Sequence, residues 1–420
     1  MIFEHKLSNG IRVVAKQMTS YKSLSMGVWV KTGSACETQE ENGISHFIEH
    51  MLFKGTSKRT ANQISYDIDS MGGSINAFTS KECSCFHIKV MSEKFEDAVD
   101  VLSDIVFNSN IGENEIQRER AVILEEIKMT NDNPEDCAHE KLSETFFADN
   151  PVAKPILGPP ENVSSFKRDN FISYMDKFYY PANMVISIAG NFEKESAFEI
   201  LERYFGGYKK VSPSEQTQDC VLSNEAIRCF ATVKKDTQQL HMCLSFPGFT
   251  MEEEKRYALS ILNNVIGGSM SSVLFQKVRE EKGLVYSVYS YMTAYTKAGM
   301  FSIYAGTSQD YIREVTQIIS RELNLIKEKG ISEDQFKKSR EQLCGNFILS
   351  TESTSTIMNT LGRNMLLRGI VLTEEEVLDA FKKVTIDQVN EIIPYIIDFD
   401  RLTRVYVGNV LPDEELKKLI

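Results

Sequence analysis

The chain has 420 residues, and its 42% hydrophobic and 25% charged content is the balance of an ordinary globular protein, not of a disordered or fibrous one. That length exceeds what one hydrophobic core usually supports, so two domains are expected, and no apolar run approaches the ~20 residues of a membrane-spanning helix. A formal net charge of −12 argues against nucleic acid as the main partner, since phosphate binding calls for basic patches; it suits the attraction of positively charged peptides. Taken in chain order, Ile11–Ala15 and Ser23–Lys31 alternate as strands, and a mostly apolar helix follows around Gly43–Phe53. A helix from about Asn62 to Met71 comes next, then strands Ser74–Thr79 and Cys83–Val90. Helices Lys94–Phe107, Glu113–Met129 and Asp136–Phe147 precede a strand at Val185–Ala189. Strands and helices grouped in this way argue an α+β fold, with helices covering one side of a mostly antiparallel sheet.

The chain then repeats itself. Val185–Asn191 followed by the helix Glu193–Leu201 returns as Arg404–Asn409 followed by Asp413–Ile420, an offset of 218. At similar offsets Ile111–Ile127 faces Ile331–Phe347, and Ser92–Phe107 faces Ser308–Ile326. The polar, turn-rich stretch between the copies suits a linker, which divides the chain into domains at 1–208 and 225–420 joined by 209–224. Eight cysteines at irregular spacing are expected to be reduced thiols, and Cys83, Cys85 and His87 to share one side of a strand instead of forming a metal clip. The N-terminus has neither a basic-then-apolar leader nor an Arg/Ser-rich one, so a cytoplasmic location is expected.

Within the first apolar helix, His46, Glu49 and His50 occupy positions i, i+3 and i+4 and project from one face. Two neutral imidazoles one turn apart can grip one Zn²⁺ at about 2.0–2.1 Å, leaving the acidic residue free to take a proton. Ile44, Phe47, Ile48, Met51 and Leu52 surround the three polar groups. Buried imidazoles and a buried carboxylate are costly unless a partner or a metal satisfies them. Catalytic zinc usually has three protein ligands and a water, so a third ligand is expected. In the 111–127 helix, Ile116, Glu119, Ile123, Glu126 and Ile127 fall on one stripe, and two carboxylates on an apolar stripe each need a cation or a donor. A salt-bridged pair at a helix contact is the other reading of that segment alone.

Gly43–Thr56, with a glutamate 76 positions beyond the second histidine, resembles the inverted-motif zinc peptidases, and more narrowly the M16 group that includes mitochondrial processing peptidase, pitrilysin and insulin-degrading enzyme. Gly72–Thr79 matches the family's G-G-x-x-N-A-x-T strand and Arg279–Tyr286 its distal Arg…Tyr element, so four blocks stand in order. The resemblance implies two homologous α+β domains of the LuxS/MPP-like metallohydrolase fold. It implies one Zn²⁺ per chain on His46, His50 and Glu126, with Glu49 as general base and Glu119 orienting a histidine or balancing charge. It implies that Tyr286 stabilises the oxyanion while Arg279 meets the substrate backbone, both reaching the zinc from a partner subunit. Peptide would pair with the edge strand at Asn76, Ala77 and Phe78, inside a chamber closed by two chains, so a homodimer acting on peptides, basic ones included, is expected. The offset of 218 sets His46, Glu49 and His50 against Asn264, Gly267 and Gly268, and a similar one sets Glu126 against Asn346, so the second copy is expected to lack the metal and serve substrate or transition-state contacts. A non-catalytic or partner-dependent subunit on the same fold is the alternative.

Overall fold

The computed structural model describes residues 1–210 and 229–420, so all but the first two positions of the expected linker, 209–224, lie outside the described residues. The chain forms two compact units. One comprises Met1–Ile127, the described part of 154–220, and Leu349–Thr373. Its six-stranded sheet runs in the order β1 (Ile2–Lys6), β2 (Arg12–Gln17), β6 (Met184–Gly190), β3 (Ser23–Val30), β5 (Ser84–Met91), β4 (Ser74–Thr79). Every pairing is antiparallel except β2 with β6. Helices α1 (Ile44–Leu52), α2 (Ala61–Ser70), α3 (Phe95–Asn108), α4 (Glu113–Asp132), α6 (Pro160–Ser165), α7 (Arg168–Phe178) and α8 (Lys194–Phe205) belong with this sheet, α4 passing into the other unit for its last five residues. Most of them contribute to one core with the strand face of Val13, Met26, Val28, Phe86 and Ile186. Strand β1 and helices α6 and α7 were not expected from periodicity.

The opposite face of the sheet is covered too. Leu24–Val30 are buried without alternation, as in a strand covered on both faces. The cover is α12 (Thr354–Arg368), which arrives from the far end of the sequence. Its Gly362 lies so close to Trp29 that a Cβ there would stand 2.0 Å from the indole nitrogen, which donates to Ser187 Oγ at 2.8 Å. Ser25 Oγ meets Thr354 Oγ1 at 2.9 Å, and Arg12 donates to the Met365 carbonyl at 3.0 Å.

The other unit comprises Lys128–Ala153, the described part of 221–348, and Glu374–Ile420. Its sheet runs β7 (Phe230–Lys234), β11 (Thr403–Gly408), β8 (Leu240–Pro247), β10 (Gly299–Thr307), β9 (Val285–Ala294), with β7 and β11 parallel. The two strands that the repeat aligned, β6 and β11, thus each have one parallel neighbour, β2 and β7 respectively. Helices α9 (Lys255–Ile266), α10 (Ile312–Lys329), α11 (Glu333–Ser350), α13 (Glu374–Lys383), α14 (Ile386–Ile396) and α15 (Asp413–Leu416) accompany this sheet, and residues from α9, α10, α14 and α15 enter its core. The packed helix on β8 and β11 is α5 (Pro134–Phe147), from the first half of the chain. There His139 sits between Tyr291 Oη (2.8 Å) and Tyr289 Oη (2.9 Å), and Tyr289 donates to Glu135 at 2.8 Å.

The sequence order and the packing order differ in two places. Helices cover both faces of the sheets, and the packing departs from a division into 1–208 and 225–420 because α5 and α12 change places. Each of these helices fills a sheet face that would otherwise expose apolar side chains to water.

Candidate metal centre

Helix α1 carries His46, Glu49 and His50 on one face, with Phe47, Ile48, Met51 and Leu52 buried on the others. Helix α4 lies across that face, and its stripe of Ile116, Glu119, Ile123 and Ile127 is buried. Glu126 is the member of the stripe left open, its side chain 42% exposed. Its Oε2 stands 3.8 Å from Nε2 of His46 and 3.6 Å from Nε2 of His50, and the three donor atoms all lie within 4.8 Å of one another.

These spacings fit a zinc ion. A tetrahedral set at about 2.0–2.2 Å from the metal places its ligand atoms about 3.3–3.6 Å apart, so the two spacings to Glu126 already suit the ion within a few tenths of an ångström, and the widest spacing, up to 4.8 Å, closes by about an ångström as the metal draws the ligands in. Among the described residues, this is the one cluster of three or more His, Cys, Asp or Glu side chains able to converge on a metal. Burial, with a smaller contribution from His50, pushes the His46 imidazole down to about 3. At neutral pH it is uncharged, with a lone pair to give.

The neighbouring groups have distinct surroundings. Glu119, 6% exposed, stands 3.2 Å from His50 Nδ1 through one carboxylate oxygen and 2.8 Å from Lys54 Nζ through the other. It holds the ring nitrogen opposite the one that faces Glu126, which sets the orientation of His50. Glu49 accepts a 2.6 Å hydrogen bond from Thr79 Oγ1. Burial raises the Glu49 carboxyl above the ordinary carboxylate range, and the Thr79 bond opposes that rise. In the sequence, Lys54 and Thr79 stand out only as parts of the Gly43–Thr56 and Gly72–Thr79 motifs. Lys54 is one turn beyond His50, and Thr79 is two residues beyond Ala77 on the strand face turned towards α1, so helical and strand spacing would each have pointed to them.

Strand β4 is an edge strand, paired with β5 through Asn76↔His87, Ala77↔Phe86 and Phe78↔Cys85. Ile75 and Ala77 pack on the core, whereas Phe78 meets Trp29 edge-on at 5.6 Å on the opposite face. Asn76 turns its own Oδ1 onto the N–H of Ala77 at 2.8 Å. Arg279 and Tyr286 belong to the other unit, where the guanidinium lies 5.6 Å from the centre of the tyrosine ring and the tyrosine is 76% exposed. In the second copy, Asn264 is buried and donates to Gln342 at 3.0 Å, an amide pair with no imidazole in it. All seven described cysteines are free thiols, Cys83 and Cys85 among the buried ones.

Residues 12–160 match the insulinase family (peptidase family M16), and 165–343 match the peptidase M16 inactive domain. The chain is 42% identical to the uncharacterized zinc protease YmxG of Bacillus subtilis, over 93% of this chain and 94% of that one. It is 36% identical to an uncharacterized zinc protease of Streptomyces coelicolor, over 98% and 90%. Among solved structures, a protease from Helicobacter pylori superposes with a TM-score of 0.92 at 20% identity, covering 97% of this chain and 99% of that one. An M16-like peptidase from Alicyclobacillus acidocaldarius gives 0.87 at 19% identity, with 97% and 98% covered. The two structural likenesses bear on the fold.

Proposed function

The chain belongs to the M16 family of zinc metallopeptidases, and from that membership we propose that it is an active endopeptidase for short or unfolded peptides, enclosed in a chamber that a second copy of the chain completes. The observation that carries this reading is the convergence of His46, His50 and Glu126 beside a buried, hydrogen-bonded Glu49. A subunit that only supported a partner would have no need to bury that donor set.

His46, His50 and Glu126 would hold one Zn²⁺. When bound, Zn²⁺ is a Lewis acid that lowers the pKa of a coordinated water towards about 7. Glu49 takes the proton of the attacking water and returns it to the nitrogen of the departing amine. Its raised carboxyl suits both halves of that transfer, because a base that is too weak would not accept and one too strong would not release. Thr79 keeps the Glu49 carboxylate pointed at the site. Glu119, itself anchored by Lys54, keeps His50 turned to the metal. Substrate adds to β4 as an extended strand, its main chain taking over the Ala77 N–H that Asn76 covers. Tyr286 and Arg279, supplied by the partner subunit, meet the oxyanion and the peptide backbone. No helix among the described residues is long and apolar enough to cross a membrane, and a cytoplasmic place of action is part of this reading.

The test is zinc stoichiometry together with cleavage of a quenched fluorescent peptide by the purified chain alone. One zinc per chain and turnover are expected, and Glu49→Gln keeps the zinc while losing turnover by at least ~100-fold. Full activity in that variant, or zinc binding with no cleavage until a different protein is added, would overturn the assignment.

A further inference from the structure

Helix α1 is short and starts on a residue that has no side chain to cap it. Its N-cap is Gly43, held at φ 102°. A nine-residue helix whose leading N–H groups lack partners frays from that end, and His46 stands in the first turn. The two imidazoles are also held differently. Glu119 orients His50, whereas Nδ1 of His46 is buried without a hydrogen-bond partner. The direction in which His46 presents Nε2 is therefore set by ring packing and by the backbone of that first turn.

Glu37 holds that backbone from six residues upstream. Its side chain belongs to a residue only 3% exposed, and three N–H groups meet its carboxylate. Oε1 accepts from the Ser45 N–H at 2.9 Å, and Oε2 accepts from the Gly43 N–H and from Asn42 Nδ2, both at 2.8 Å. The intervening loop closes the remaining gap, since the Ile44 N–H donates to the Glu41 carbonyl at 2.9 Å. The loop is itself pinned: Asn42 Nδ2 donates to the Pro155 carbonyl at 2.8 Å, and Lys154 Nζ donates to the main-chain oxygen of Glu37. Gly43 presses so closely on this segment that a Cβ would come 2.7 Å from the Leu157 carbonyl oxygen. A carboxylate with three N–H donors at the positive end of a helix is a charge-assisted cap.

We propose that Glu37 is a positioning residue for the metal centre, capping α1 from the preceding loop so that its first turn delivers His46 to the ligand set. The proposal rests on the zinc-peptidase reading above. Glu37→Gln keeps the size of the side chain but makes one oxygen an amide nitrogen. With all three donors directed at two oxygens, even the better orientation sets that nitrogen against the Ser45 N–H. The metal-free variant, titrated with zinc against a chelator of known affinity, is expected to bind 10–100-fold more weakly than wild type. Its Ser45 and His46 amides exchange faster in the same metal-free protein, and at saturating zinc most of kcat returns with KM for the peptide unchanged. Leu201→Ala, on α8 of the same unit, is the control for general destabilisation: it lowers the thermal midpoint and leaves zinc affinity where it was.

Zinc affinity within twofold of wild type in folded Glu37→Gln overturns the proposal, as does an equal loss in Leu201→Ala. If Glu37→Gln does not fold, Asn42→Ala takes its place. That variant removes one of the three donors; a several-fold weaker zinc site supports the proposal and an unchanged one refutes it. Should the wild-type chain bind no zinc, the peptidase reading fails, while amide exchange at Gly43 and Ser45 still decides whether Glu37 caps the helix.

Discussion

Thr79→Val exchanges the hydroxyl that donates to Glu49 at 2.6 Å for a methyl group of the same size. The Thr79 bond favours the ionised carboxylate and so works against burial, which pushes the Glu49 carboxyl up. Losing the bond therefore moves the Glu49 pKa further upward. A hydrogen bond to a charged acceptor contributes about 1.5–3 kcal/mol, and one pKa unit corresponds to about 1.36 kcal/mol. Water entering beside the carboxylate recovers part of this, which leaves a rise of roughly one unit. Glu49 must be ionised to accept the proton, so activity is lost as pH falls through its pKa. The acid limb of kcat/KM in Thr79→Val should thus lie roughly one pH unit above that of wild type, with the plateau above it within a few-fold. The measurement is cleavage of a quenched peptide across the pH range, with zinc content checked at each end. An acid limb that stays in place, or moves to lower pH, while zinc is retained means that another group titrates there and the role given to Glu49 is wrong.

Glu119→Gln removes the charge that Lys54 and His50 share, and zinc affinity is expected to fall about 10–100-fold, some 1.4–2.7 kcal/mol. Lys54→Met should cost less, and the double variant should cost less than the sum of the two, because both act on one His50 contact; additive losses by chelator competition would separate them. Mixing inactive Glu49→Gln with inactive Tyr286→Phe should restore part of the turnover if subunits share the site, and no recovery despite demonstrated subunit exchange would place both groups within one chain's reach. Gly362→Ala drives a methyl group into the Trp29 indole and should destabilise the fold by about 1–3 kcal/mol, read as a lower thermal midpoint; an unchanged midpoint would show that α12 can shift away from β3.

The centre was legible because its parts obey a period. His46, Glu49 and His50 share a face at spacings of three and four, and Glu119 and Glu126 broke an otherwise apolar stripe on α4. Strand β4 matched its expected bounds, Ser74–Thr79, since two glycines and a turn enclose it. Glu37 was not legible: a single glutamate in an irregular loop carries no period, and its role depends on where six later residues bring the start of α1. The places of α5 and α12 were equally hidden. Amphipathic spacing tells which face of a helix is buried but not which sheet buries it, and α12 is recognised only by its fit to Trp29 and Gly27. For Arg279 and Tyr286 the structure adds a mutual contact, while the roles assigned to them still come from the family resemblance.

The exchange of α12 sets a condition on synthesis. The first 208 residues contain every ligand of the triad, yet the helix that roofs their sheet is not made until residue 368. A nascent chain halted at the midpoint would carry a bare tryptophan-bearing surface, open to wrong partners. Severing the gene at its apparent seam would therefore yield two fragments that each miss a roof.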